Sequence, residues 1–142
     1  MKNTMNFGNC FELATMAEIQ HYMVRKRIEG QVYMPTVDNK GIDFVIRVGN
    51  KKLVKYIEVQ VKARSTRGLF SIDKFDDRDN YWFILYNQNG AGYDMYILQS
   101  KEVKQIMTEN GKKTLKAKNN KLSVSKIKKY EQSDVGVICN TK

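Results

Sequence analysis

At 142 residues the chain has the length of one domain, and a domain of that size buries roughly 70% of its unfolded surface without needing a disulfide or metal staple. A formal charge of +10 and a sequence pI near 9.6 favour an anionic partner, nucleic acid first. A single histidine, His21, leaves no Ser-His-Asp or Cys-His site without it and no zinc site built from several histidines.

Residues 10 to 29 contain neither Gly nor Pro and recur apolar at helical spacing, with Phe11, Ala14, Met16, Ile19 and Met23 on the expected inner face. The spacing predicts a long amphipathic helix capped by Asn9 and stopped by Gly30. Gln31 to Met34 reads as a short strand ending at Pro35. Ile42 to Val48 and Leu53 to Arg64 read as a hairpin around Gly49-Asn50. Residues 65 to 80 are polar and irregular, with a helical turn expected near Ile72 to Phe75. Tyr81 to Tyr86 is a continuous apolar run, hence a strand buried on both faces, and Trp82 with its neighbours is core before it is a base-stacking surface. Gly90-Ala91-Gly92 is a hairpin turn, and Tyr93 to Leu98 is the next strand. Ser100 to Asn110 is a helix capped by Ser100. Residues 112 to 124 are lysine-rich and ambiguous, Ser125 to Glu131 suits a short helix, and a loose tail follows.

This order predicts one α/β domain over residues 1–142. A central mixed sheet is flanked by helices, the core spans about 8–110, and a basic extension covers about 111–142. From Lys101 onward eleven lysines stand against four acids, so that last third carries +7 of the charge. Cys10 and Cys139 stand in no metal-ligand spacing, and free thiols with no signal-peptide pattern imply a cytoplasmic protein. No run approaches a membrane span.

One stretch departs from ordinary strand chemistry. Ile57, Val59, Val61 and Ala63 alternate with Glu58, Gln60 and Lys62, so one face carries an acid, an amide and an ammonium in line. Buried charge is too costly without a partner, so that face is either wet or the floor of a site. Asp43 stands at the mouth of the preceding strand, just after Gly41.

An acid, a spacer strand, then a polar residue two before a lysine resembles the PD-(D/E)xK nuclease signature, here Gly41-Ile42-Asp43 followed by Glu58-Val59-Gln60-Val61-Lys62. The QxK form resembles methylated-DNA restriction endonucleases and small PD-(D/E)xK endonuclease-like proteins, and the helix-first layout resembles archaeal Holliday-junction resolvases. The resemblance covers about residues 8 to 98 and implies a restriction-endonuclease-like fold of αβββ(α)β order. It implies Mg²⁺-dependent hydrolysis of DNA phosphodiester bonds, with Mn²⁺ as a substitute. It further implies Asp43 as central metal ligand, Glu58, Gln60 and the Val61 carbonyl as further ligands, and Lys62 as the group that orients water or stabilises charge. Glu12 on the first helix would complete the site, with Glu18 as the alternative. Gln60 departs from the acidic form and offers only a neutral oxygen.

Arg64, Arg67, Lys74, Lys112, Lys113 and Lys116 are candidates for phosphate contacts. A basic module that binds DNA or RNA without cutting, and an interaction subunit of a defence or mobile-element system, are competing readings. A chain this small also suits a homodimer.

Overall fold

The computed structural model describes residues 7–35, 41–64, 69–72, 78–109 and 120–140. Helix α1 (Phe7–Arg25) leads to β1 (Gly30–Tyr33), then β2 (Phe44–Gly49) and β3 (Val54–Arg64). The short β4 (Leu69–Ile72) precedes β5 (Tyr81–Asn89), β6 (Gly92–Gln99) and α2 (Ser100–Glu109). Strand β7 (Asn120–Ser123), two single 3-10 turns, β8 (Glu131–Gln132) and a longer 3-10 turn (Val135–Asn140) complete the chain.

Six strands form one sheet in the order β1-β2-β3-β5-β6-β8. The β3–β5 pair is parallel and the others antiparallel, so the sheet is mixed. The expected α/β layout with a central mixed sheet therefore stands. Side-chain alternation divides the core into two layers. Phe44, Ile46, Ile57, Val59, Val61 and Ile84 face α1, through Ile19, Tyr22 and Met23. Tyr81, Phe83, Leu85, Tyr96 and Leu98 face α2, through Val103, Ile106 and Met107. That second layer also takes Phe70, Ile72 and Leu122 from a separate ribbon, β4 paired with β7.

Several expectations shift. Helix α1 begins at Phe7 and ends at Arg25, so Asn9 lies inside it. Its buried stripe runs Thr15, Ile19, Tyr22 and Met23, leaving Ala14 and Ala17 exposed. The helix is closed by Arg27 in left-handed backbone (φ 55°), with Ile28 N–H donating to Met23 O at 2.8 Å. This is the six-to-one hydrogen bond that usually favours glycine at that turn. Gly30 instead opens β1, where a Cβ would collide with Met23 and the Arg47 carbonyl.

The helical turn expected near Ile72 falls partly on β4, whose Phe70 and Ile72 are wholly buried. Ser125 to Glu131 is two 3-10 turns and the start of β8 rather than a helix. The two-residue Gly90-Ala91 hairpin is as expected, with Asn89 paired to Gly92 and Gly90 at φ 60°.

The tail is not loose over its described part. Val135, Gly136, Ile138 and Cys139 are buried, and burial and Asp134 push the Cys139 thiol up to about 11. Gly136 lies flat on the Tyr22 ring, and Asn140 Nδ2 donates to Tyr22 Oη at 2.8 Å. Arg25 pairs with Asp134 at 3.6 Å alongside. A Cβ at position 136 would enter the Tyr22 ring. Gly136→Ala should therefore cost about 1–3 kcal/mol of stability through overpacking. Urea unfolding checks this, and an unchanged midpoint would show the tail to be dispensable.

Candidate functional site

Regular pairing of β2 with β3 ends at Phe44↔Val59. Beyond it β3 runs on beside β5 to Arg64↔Asn87. Asp43 bridges this point in two ways. Its N–H donates to Val59 O at 2.8 Å, and its carboxylate Oδ2 accepts from Val61 N–H at 2.7 Å. A side-chain carboxylate thus serves a strand amide directly across from it, which fixes the direction of the Asp43 side chain.

The preceding Gly41 has φ 83°, in the region glycine favours. A Cβ there would stand 3.0 Å from Gln60 Nε2 and 3.5 Å from Tyr81 Oη. The Gly41-Ile42-Asp43 turn is therefore laid against the Gln60 side chain. Gln60 Oε1 accepts from Tyr81 O–H at 3.3 Å. Gln60 and Lys62 share the face of β3 that carries Phe83 and Leu85 of β5, and both are half-buried.

Glu12 lies on α1, which packs on the opposite face of the sheet. Burial, and then the negative charge of Asp43, raise its pKa above the ordinary carboxylate value. The fold therefore sets Asp43 and the Gly41 turn against Gln60, with Lys62 two residues further on the same face of β3. Glu18, the alternative, lies elsewhere: it lines a hollow of about 790 Å³ with Phe11, Tyr86, Tyr93, Asp94 and Glu131. That acidic lining is unsuited to a polyanion.

Glu58 has a different environment. Arg78 Nε donates to Glu58 Oε1 at 2.8 Å and Nη2 to Oε2 at 3.2 Å, a bidentate pair. The guanidinium lies over the Tyr81 ring, 4.3 Å from its centre. Arg78 is itself held at the start of α2, where Ser100 Oγ donates to its carbonyl at 2.9 Å. Among the described residues no three of His, Cys, Asp and Glu gather as a metal-holding group, so Glu58 does not join Glu12 and Asp43 in one.

Arg78 is a site neighbour that sequence reasoning passed over, and Tyr81, read there only as core, is another. In the sequence Arg78 stands among acids, Asp76-Asp77-Arg78-Asp79, a stretch that reads as polar and irregular. Of the expected phosphate contacts, Arg64 is half-buried at the end of β3. Arg67, Lys74, Lys112, Lys113 and Lys116 lie outside the described residues. His21 is exposed on α1. No helix among the described residues is long and apolar enough to cross a membrane. The chain matches no protein-family model, no curated protein and no solved structure.

The raised pKa of Glu12 gives a signed pH effect. Ionised Glu12 costs stability above its folded pKa, and the cost fades as falling pH protonates the group in both states. In metal-free buffer Glu12→Gln should raise the melting midpoint at neutral pH. The gain should vanish below about pH 4, where unfolded carboxylates also protonate. Melting curves across pH check this; a variant less stable at neutral pH would contradict the penalty that burial and the Asp43 charge place on ionised Glu12.

Proposed function

We propose that this chain is a metal-dependent nuclease of the PD-(D/E)xK type, hydrolysing phosphodiester bonds in DNA, with a restriction-endonuclease-like core. One observation carries the reading. Asp43 at the mouth of β2 is fixed by the Val61 amide, the Gly41 turn beside it is laid against Gln60, and Lys62 follows on the same face of β3, while the charge of Asp43 adds to burial in raising the pKa of Glu12 on α1.

Two carboxylates whose charges repel fit a hard divalent cation, which would relieve that repulsion. Glu12 and Asp43 would hold it, with Gln60 Oε1 or the Val61 carbonyl as a neutral oxygen. When bound, the cation supplies charge neutralisation and a lowered water pKa. The chain's own groups have separate tasks. Asp43, held by the Val61 amide, would keep its carboxylate aimed where a cation could bind. Lys62 would stabilise the negative charge that builds on the phosphoryl oxygens as water adds to phosphorus, loses its proton to solvent, and the P–O ester bond breaks to leave an oxygen that solvent protonates. Arg78 neutralises Glu58, so this carboxylate does not repel an incoming phosphate.

A second reading rests on the same carboxylates. With Gln60 neutral and Glu58 taken by Arg78, two acids remain for the metal, and a chain that holds nucleic acid without cutting it is the outcome if they do not suffice.

The test uses Asp43→Asn and Lys62→Ala on single-stranded and duplex DNA with Mg²⁺ or Mn²⁺. Asp43→Asn keeps an oxygen to accept the Val61 N–H, so the fold is spared while the charge is lost. Each variant should lose about 10²-fold or more in cleavage rate with an unchanged circular dichroism spectrum. Undiminished cleavage by both would remove the nuclease reading. No cleavage by the wild type, with DNA binding retained, would select the binding module.

A further inference from the structure

The face of β3 that carries Gln60 and Lys62 continues, at alternate positions, through Glu58 to Tyr56. Tyr56 is directly opposite Arg47 of β2, and Arg47 is opposite Gln31 of β1. Tyr33 lies two residues further along β1 on the same face, and Arg47 Nε donates to its hydroxyl oxygen at 3.2 Å. The three side chains run diagonally across the outer strands. Tyr33 is 42% and Tyr56 56% exposed. The apolar packing of this face, from α2 and the β4–β7 ribbon, is centred on β5 and β6 and leaves both rings open.

Two exposed tyrosines beside an arginine on an open sheet are more than an ordinary wet face. Solvent favours Lys, Glu and Thr there, and isolated exposed rings are normal only when scattered. The Arg47 guanidinium is held in place by Tyr33 and by its bond to the Gly49 carbonyl at 3.3 Å, and Tyr56 stands opposite Arg47 in the strand register. Beside it Asn50, Lys51 and Lys52 line a hollow of about 520 Å³ with Arg47 and Glu29. The local charge is cationic on a chain of +10. A second copy docked about a twofold axis would set this cationic patch against itself. An anion with planar rings meets every group present: phosphate for Arg47 and the lysines, bases for the tyrosines. A duplex hides its base faces, so the strand is unpaired.

We propose that Tyr33, Arg47 and Tyr56 form a stacking platform for a single-stranded nucleic-acid segment, which runs along β3 toward Gln60 and Lys62. This deepens the nuclease reading and rests on it for the direction of the strand. Gln60 lies four positions beyond Tyr56, roughly 13 Å of strand, a span of about two nucleotides. The platform thus holds the flank of the bond that the site would cut. A substrate with an unpaired arm or gap is the class it selects.

The test is fluorescence anisotropy in EDTA, where no metal supports cleavage, with a labelled single strand of about twelve nucleotides, enough to span one such site, and a blunt duplex of equal length. Wild type should prefer the single strand. Tyr33→Leu and Tyr56→Leu should each weaken single-strand binding about tenfold and leave duplex binding unchanged, while Tyr56→Phe keeps wild-type affinity. Equal affinity of the leucine variants and wild type overturns the proposal, as does equal binding of both DNA forms or no binding at all. So does a dimer, seen by sedimentation, that Tyr56→Leu dissolves with no loss of oligonucleotide affinity, which would give the face to a second copy. The two readings fail separately. Stacking without any cleavage in Mg²⁺ removes the nuclease and leaves the platform; cleavage indifferent to both tyrosines removes the platform alone.

Discussion

Val61 N–H donates to a carboxylate at the place where a β-ladder would ordinarily offer a carbonyl, and the geometry around the candidate site follows from that bond. It joins the mouth of β2 to the middle of β3 just beyond their last paired residues. Asp43 is thereby aimed, the Gly41 turn is drawn onto Gln60, and the negative charge stays where Glu12 must meet it. Charge-assisted bonds of this kind are stronger than neutral ones, so the carboxylate is a firm anchor rather than a mobile surface acid. The same bond makes a bare alanine at position 43 a poor probe, because it removes a charge and leaves a strand amide without its acceptor.

The sheet separates structural from chemical tasks by face. On the α1 side, β3 contributes Ile57, Val59 and Val61 to a closed core. On the other, Tyr56, Glu58, Gln60 and Lys62 form a row that passes from an open surface to a half-buried one. The parallel β3–β5 pair places Tyr81 beside Glu58, so the ring can carry Arg78 on its face and reach Gln60 with its hydroxyl. Arg78 and Tyr81 thus connect α2 to the polar row. The fold supplies a rigid floor, and the loop before β5 supplies the cation that neutralises Glu58.

Period-two alternation in Glu58 to Lys62 was readable in the chain because a one-residue shift would have put charges in the core. The continuous run at Tyr81 and the Gly90-Ala91 turn were readable for similar local reasons. What escaped depended on distant partners. Strand β4 is four residues long in polar surroundings, and its pairing partner β7 lies some fifty residues on. The tail reads as loose because Val135 to Cys139 is too short to show periodicity; its burial comes from Tyr22, more than a hundred residues away. The ion pair of Glu58 was not readable locally because its partner, Arg78, is twenty residues distant in the chain. Tyr33 and Tyr56 drew no attention singly, since only the register of three strands sets them on one diagonal.

The central claim is that Glu12 and Asp43 share a divalent cation. Isothermal titration of Mn²⁺ into the wild-type chain and into Asp43→Asn tests it most directly. The account predicts saturable binding by the wild type that disappears in the variant, although both are folded. Equal binding by the two, or none by the wild type even with a single-stranded oligonucleotide present, would contradict it.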